Sequence, residues 1–545
     1  MQFLSTTKAQ TLITNTSQLN FGVVYENAPD SLQLIISNNF GKTVNVTGIH
    51  FYTFYGQPAF SCSNSSLSIA SGSSQTIWIK FSPRHNVYHN SELVIENDAQ
   101  RGYLSIDLLG QGRYSNTYYN ATENQDEEAL KTTLQTITGN GYITLTYNPA
   151  RDTMFMWLDN QRLNGQGAVQ NTLECVYTGR LAVGYVSRTD CQTNDTFNTE
   201  HTFPQTFFSS NEPMKSDLHH LFPTDDDANN KRANYPFGIV TNASWSVGGS
   251  KFDNNTNIFE PRDQHKGETA RAMMYFVVRY QNYMNFFNSQ ESILKIWNHN
   301  FIPGVVEQVR NDHIYSVQGN RNPFVDYPQF ADRITSFSTT SVAPAINSMD
   351  ETENAINYGF VLNGSSNVYQ YVIVNNGNQS IQFSNLSLSN TSVLSFSGMS
   401  GNDTLIDPGE ALGIMIDLHP SSTGMINEML TFHTTVPGSS TVQVPIVAQS
   451  SLVNMNELYS DNQVRISPNP VQDEFTVYGL HPMDMGFAVD ELSITDLLGK
   501  KVFSKNHYQS ASESKLTITN LCSGIYLLNV QQKDKTISRV RFVKN

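Results

Sequence analysis

The feature that most constrains this chain is a repeat at a distance. LIISNNFGKTVNVTGIHF begins at Leu34 and YVIVNNGNQSIQFSNLSL begins at Tyr371; each is followed by a run ending in proline, IWIKFSP from Ile77 and IMIDLHP from Ile414. In these shorter runs apolar residues alternate (Ile77, Ile79, Phe81; Ile414, Ile416, Leu418), the period of a strand with one face buried. Asn-Gly, Ser-Gly and Pro punctuate them at a spacing of about 8–12 residues, as in β-sandwiches. Two copies of one all-β sandwich, residues 10–115 and 336–452, therefore enclose a section of a different kind.

That section, residues 116–335, reads as mixed α/β. DEEALKTTLQTI from Asp126 places acidic residues ahead of apolar ones at helical spacing, which predicts an N-capped helix. GETARAMMYFVVRYQNYMNFF from Gly267 predicts a longer helix whose stripe of Met273, Phe276, Val277 and Tyr280 faces a core. After the second sandwich, residues 453–545 form a third β-rich unit of alternating strands and turns. At the other end, Lys8-Ala9-Gln10 within MQFLSTTKAQTLI reads as the remnant of a signal peptide over residues 1–9. The fold class expected is multidomain: a mixed α/β domain between two all-β sandwiches, plus a C-terminal all-β domain.

Composition narrows the function. A net charge of −15 excludes a protein whose whole surface attracts nucleic acid, so binding of a polyanion would need a local site. The four cysteines, Cys62, Cys175, Cys191 and Cys522, offer no zinc spacing; a Cys175–Cys191 bridge and two buried thiols are both open. No apolar run approaches the about 18 residues of a membrane-spanning helix.

Chemistry-bearing residues concentrate between Phe197 and Gly238: Glu200, His201, Asp217, His219, His220, three successive aspartates, then Asn229. Neighbours on a strand point to opposite faces, so Glu200 and His201 converge only if the strand bends or ends there, for example before Pro204. Where it does, the carboxylate can bind a hard cation while the imidazole accepts a proton. TDDDANNKRAN predicts a short helix capped by Thr224 or Asp225, with Asn229 offering an amide oxygen. A strand-borne Glu-His followed by a helix-borne Asn suits a one-metal phosphodiesterase. Asp217 and His219 are candidates for orienting the site from behind. HExxH, GxSxG, Walker and dinucleotide-binding signatures are absent.

This cluster resembles the endonuclease I family of secreted and periplasmic ββα-metal nucleases. The resemblance runs through YNPARDTMF from Tyr147, VYTGR from Val176, NTEHTFPQ from Asn198, DLHHLFPTDDDANNKRANYPFG from Asp217, FEPRDQHKGETARAMMYF from Phe259 and VRNDHIYSVQGNRNPFVDYP from Val309. It implies His201 as general base and Glu200 and Asn229 as ligands of one Mg²⁺, or of Mn²⁺ or Ca²⁺. The implied reaction is non-sequence-specific hydrolysis of DNA, and of RNA, leaving 5′-phosphate ends. Some relatives carry a phosphate-binding arginine in the stretch corresponding to His201–Lys215, which here has none; Arg232, Arg271 and Arg321 are the substitutes expected to meet substrate.

The flanking copies resemble Ig-like modules of the ASPM–SPD-2–hydin and choice-of-anchor kind, with no ligand indicated. The end of the chain resembles the sorting domain of the type IX secretion system of Bacteroidetes, through SPNP at Ser467–Pro470, DLLGKKV from Asp496, SGIYLLNV from Ser523 and the final RVRFVKN. That resemblance implies export across the outer membrane through the type IX machinery. The competing reading is a surface adhesion or scaffold protein carrying an inactive nuclease fold.

Overall fold

The computed structural model describes residues 12–53, 59–98, 102–281, 284–351, 353–397, 403–452, 465–478, 489–496, 500–506, 513–532 and 537–544. The expected signal remnant, residues 1–9, lies outside them, as does part of the DLLGKKV segment.

The repeated sequence folds twice in the same way. Asp30–Asn38 pairs antiparallel with Ser74–Phe81 in the first copy, and Asn367–Asn375 with Ala411–Leu418 in the second. Both long strands end on a fully buried asparagine, Asn38 and Asn375. Each donates from Nδ2 to two carbonyls, of Lys42 and Ile69 or of Gln379 and Ile406, at 2.8 Å in all four bonds. Each Oδ1 accepts the N–H two residues on, from Phe40 or Gly377. A buried amide must place all its donors and acceptors, so these asparagines set the turn that follows the strand.

A second sheet closes each sandwich over its own apolar core, built around Leu34, Ile36, Ile77 and Phe81 in one and Tyr371, Ile373, Ile414 and Phe432 in the other. The two sandwiches also touch. Gln370 bridges Gly102 in a parallel contact, and Val94, Tyr103, Val372 and Val374 are buried between them.

The section they enclose has a separate, largely aromatic core. Its first α-helix, Glu127–Gly139, begins after Asp126 as expected, although the Asp126 side chain makes no capping hydrogen bond. Helix α1 (Tyr147–Thr153) precedes a two-stranded antiparallel hairpin, β1 (Phe197–His201) and β2 (Leu221–Asp225), followed at once by helix α2 (Asp226–Arg232). Helix α3 (Asp263–Tyr280) starts four residues ahead of the expected Gly267. Lys266 accounts for the earlier start, since its ammonium ties Asp263 at 2.7 Å to Glu260 at 2.8 Å and anchors the first turn. The expected single stripe on this helix proves too narrow: residues are buried on nearly every side, because α3 runs through the middle of the domain.

The first sandwich packs directly on this domain. Tyr114 stacks on Tyr327 at 3.7 Å, and the Tyr327 hydroxyl donates to Glu26 at 2.8 Å. The C-terminal unit consists of a three-stranded and a four-stranded sheet around Phe475, Ile494, Leu528 and Phe542. Among the described residues no helix is long and apolar enough to cross a membrane.

Candidate active site

The hairpin places Glu200 opposite Phe222 and His201 opposite Leu221, at the very end of β1. Both side chains are nearly enclosed, 2% and 6% exposed. Their surroundings share no residue. Glu200 meets Tyr177 and Arg232; His201 meets Tyr147, Phe208, His220 and Lys215. His201 is the last residue of β1, so the pair stands where the strand ends, the condition under which the two side chains can serve one site.

On the Glu200 side, the Tyr177 hydroxyl donates to Oε1 at 2.8 Å. Arg232 Nε lies 3.0 Å from the same oxygen, close enough for an ion pair but not aligned as a hydrogen bond. Arg232 is itself fully buried, its Nη1 donating to Ala233 O and its Nη2 to Thr202 O, with the Phe237 ring 4.5 Å away. Burial pushes the Glu200 carboxyl up, opposed by the Arg232 charge and the Tyr177 hydrogen bond. Oε2 takes no hydrogen bond or ion pair among the described residues.

Asn229 stands one turn into α2, half-buried, and its side-chain amide is likewise without a hydrogen bond among the described residues. Asp225 caps this helix by accepting from Ala228 N at 2.8 Å, while Asp226 and Asp227 are exposed. Glu200 Oε2 and the Asn229 amide oxygen are hard donors of the kind a divalent cation takes. Among the described residues no group of three or more His, Cys, Asp or Glu is arranged for a metal. An ion here would draw on these two side chains and on water.

His201 presents a defined tautomer. Nε2 lies 3.0 Å from Lys215 O; a carbonyl only accepts, so Nε2 carries the proton and Nδ1 the lone pair. Nδ1 makes no hydrogen bond among the described residues. Burial, with His220, Lys215 and Arg151 adding positive charge nearby, holds the imidazole well below the usual histidine range, against the pull of the Lys215 carbonyl. Burial thus favours the uncharged imidazole, with Nδ1 open among the described residues.

The two cysteines of this domain are unbridged. Cys175 is buried and its sulfur receives the Thr178 and Asp225 N–H groups, and Cys191 is buried apart from it.

Comparison with known proteins identifies the domain. The family model described as Endonuclease I matches residues 126–329, and that of the secretion system C-terminal sorting domain matches residues 465–545. The middle of the chain is an endonuclease I domain. Its relatives include the extracellular ribonuclease of Bacillus subtilis (strain 168), 27% identical over 238 residues, covering 40% of this chain and 78% of that protein. The extracellular ribonuclease of Bacillus amyloliquefaciens is 28% identical over 236 residues, with the same two coverages of 40% and 78%. An extracellular deoxyribonuclease of Aeromonas hydrophila is 28% identical over 116 residues, 21% of this chain and 50% of that protein. The protein is therefore a nuclease, secreted or held at the cell surface.

Within the endonuclease I domain, the three arginines expected to meet substrate each make contacts within the protein. Arg232 is sealed beneath Glu200, with no face toward solvent. Arg271 grips both oxygens of Glu307 at 2.6 Å and also donates to Phe301 O. Arg321 binds Asp326 through two nitrogens and Asp312 through one. Asp217 and His219, expected to orient the site from behind, have these partners. Asp217 is buried, accepts from the hydroxyls of Tyr275 and Tyr280 and from Gln318 Nε2, and caps the turn at His219 N. His219 Nε2 bonds to Asn320 O at 3.1 Å. Neither side chain hydrogen-bonds Glu200, His201 or Asn229; both brace α3 against the hairpin loop.

Sequence reasoning assigned no role to Tyr147, Arg151, Tyr177 or Lys215, although each lies in or beside a segment that carries the resemblance. For Tyr147, Arg151 and Tyr177 the signal was position within YNPARDTMF and VYTGR; Lys215 lies just ahead of the segment that begins at Asp217. Only folding shows which of those residues reach Glu200 and which reach His201.

Proposed function

We propose that the endonuclease I domain hydrolyses the phosphodiester backbone of DNA and RNA without sequence preference, using one divalent ion and His201 as general base. The observation that carries this reading is the hydrogen bonding of His201: Nε2 lies 3.0 Å from Lys215 O, and Nδ1 has no hydrogen-bond partner among the described residues. Nδ1 accepts the proton of a water as that water attacks phosphorus. The Nε2–H bond to the carbonyl steadies the ring while it carries the second proton.

Glu200 and Asn229 would hold the ion, with Tyr177 and Arg232 fixing the carboxylate through its other oxygen. When bound, Mg²⁺, Mn²⁺ or Ca²⁺ supplies positive charge against the phosphate and the departing 3′-oxygen. A site built around phosphate rather than base edges has no source of sequence preference. Export would proceed through type IX machinery acting on the C-terminal domain.

The test is incubation of the purified protein with supercoiled plasmid and with RNA, in each of the three metals and in EDTA. The expected result is nicking and RNA hydrolysis only with metal, leaving 5′-phosphate ends. No cleavage of either polymer under any ion would overturn the reading and leave a scaffold.

A further inference from the structure

Most cations of the endonuclease I domain are matched to carboxylates: Arg188 to Asp152, Arg262 to Glu174, Arg310 to Asp159, and Lys266 to Glu260 and Asp263. Arg151 and Lys215 are among those that are not, with Arg162, Lys231 and Arg279. Neither Arg151 nor Lys215 forms an ion pair among the described residues, although both are partly buried. A guanidinium withdrawn from water without a counter-charge is unfavourable, and an acidic protein has carboxylates to spare. Both cations stand over one ring, that of Tyr147, at 4.9 Å for Arg151 and 4.6 Å for Lys215, and the same ring lies 5.6 Å from His201.

The tether of Arg151 gives direction. Its Nε donates to Thr199 Oγ1 at 3.1 Å, which leaves the two terminal nitrogens of the fork without a partner among the described residues. Thr199 is two residues before His201 on β1, so their side chains share a face, about 6.6 Å apart along the strand. That offset is of the order of one nucleotide step. A guanidinium fork matches a phosphate in shape and charge.

We propose that Arg151 grips the phosphate next to the scissile one, with Lys215 adding charge beside it, as positioning residues that seat the strand against His201. Tyr147 holds the two cations apart along the strand's path. This inference rests on the nuclease reading and names the contacts that reading lacks.

The test pairs enzyme variants with altered substrate, in Mg²⁺. Oligothymidylates carrying one neutral methylphosphonate at successive positions around a single cleavable bond are compared with the unmodified strand. Arg151→Met keeps the alkyl stem against Tyr147, and Arg151→Lys keeps the charge.

In the wild type, neutralising one adjacent phosphate should lower kcat/KM on the order of tenfold. Arg151→Met should be slower on the native strand by a similar factor, chiefly through KM, and indifferent to that same neutralisation. Arg151→Lys should restore part of the sensitivity. A variant that is merely misfolded lowers every rate together and keeps the sensitivity. That pattern, or an unchanged Arg151→Met enzyme, overturns the inference while cleavage by the wild type preserves the nuclease reading. If the wild type cleaves nothing under any ion, the nuclease reading fails and the inference falls with it.

Discussion

The two sides of the Glu200–His201 pair handle charge in opposite ways. On one, Glu200 is buried against Arg232 and Tyr177, with Arg232's terminal nitrogens spent on backbone carbonyls. On the other, His201 is neutral and Arg151 and Lys215 stand near it without carboxylates. Paired charge holds a fold in place, since each member satisfies the other's lost hydration. Unpaired charge beside a free imidazole nitrogen is completed only by a ligand. The distinction separates arginines that look alike in sequence, Arg232, Arg271 and Arg321 on one hand and Arg151 on the other.

The sharpest way to break this comparison is at His201. His201→Ala should lower kcat on plasmid by about 10²–10⁴-fold with little change in melting temperature. Full activity in that variant would remove the imidazole from the reaction. On the paired face the effect should fall on stability. Arg232→Met strands a buried carboxylate and should reduce unfolding free energy by about 3–5 kcal/mol, measured by urea titration.

A pH comparison reaches the bracing layer. Burial lowers His219 from 6.5 to about 4, so the unfolded chain binds its proton first as pH falls. Its contribution is fully present above about pH 6.5 and is lost toward pH 4, at up to about 1.4 kcal/mol per pH unit. His219→Gln keeps a donor for Asn320 O and removes the titration. Wild-type stability should therefore fall relative to the variant across that window; parallel pH profiles would show that His219 is not held neutral. The smallest effect belongs to Arg321. Arg321→Met should leave KM and its salt dependence unchanged, whereas Lys215→Met should lower the salt slope of binding by about one unit.

Much of this architecture was legible. Alternating Ile77, Ile79 and Phe81, with their counterparts at Ile414, Ile416 and Leu418, announce paired strands because burial on one face imposes a period of two. The repeated Asn-Asn at the strand ends marks the turns that Asn38 and Asn375 build. The cap of α2 was legible as Thr224 or Asp225, of which Asp225 takes the role. What did not show is which cation is free. Arg271 lies 36 residues from Glu307 yet is locked to it, and Asp217, just ahead of two histidines, serves two tyrosines of α3.

Sequence by itself determined the units, the strand and helix carrying Glu200, His201 and Asn229, and the type of chemistry, because periodicity, capping and residue type act locally along the chain. Tertiary structure decided the contact of His201 with Lys215 O, the burial of Arg232 under Glu200 and the lack of an ion pair at Arg151 among the described residues. Those depend on which atoms lie within about 3 Å in space, a relation that separation along the chain does not specify.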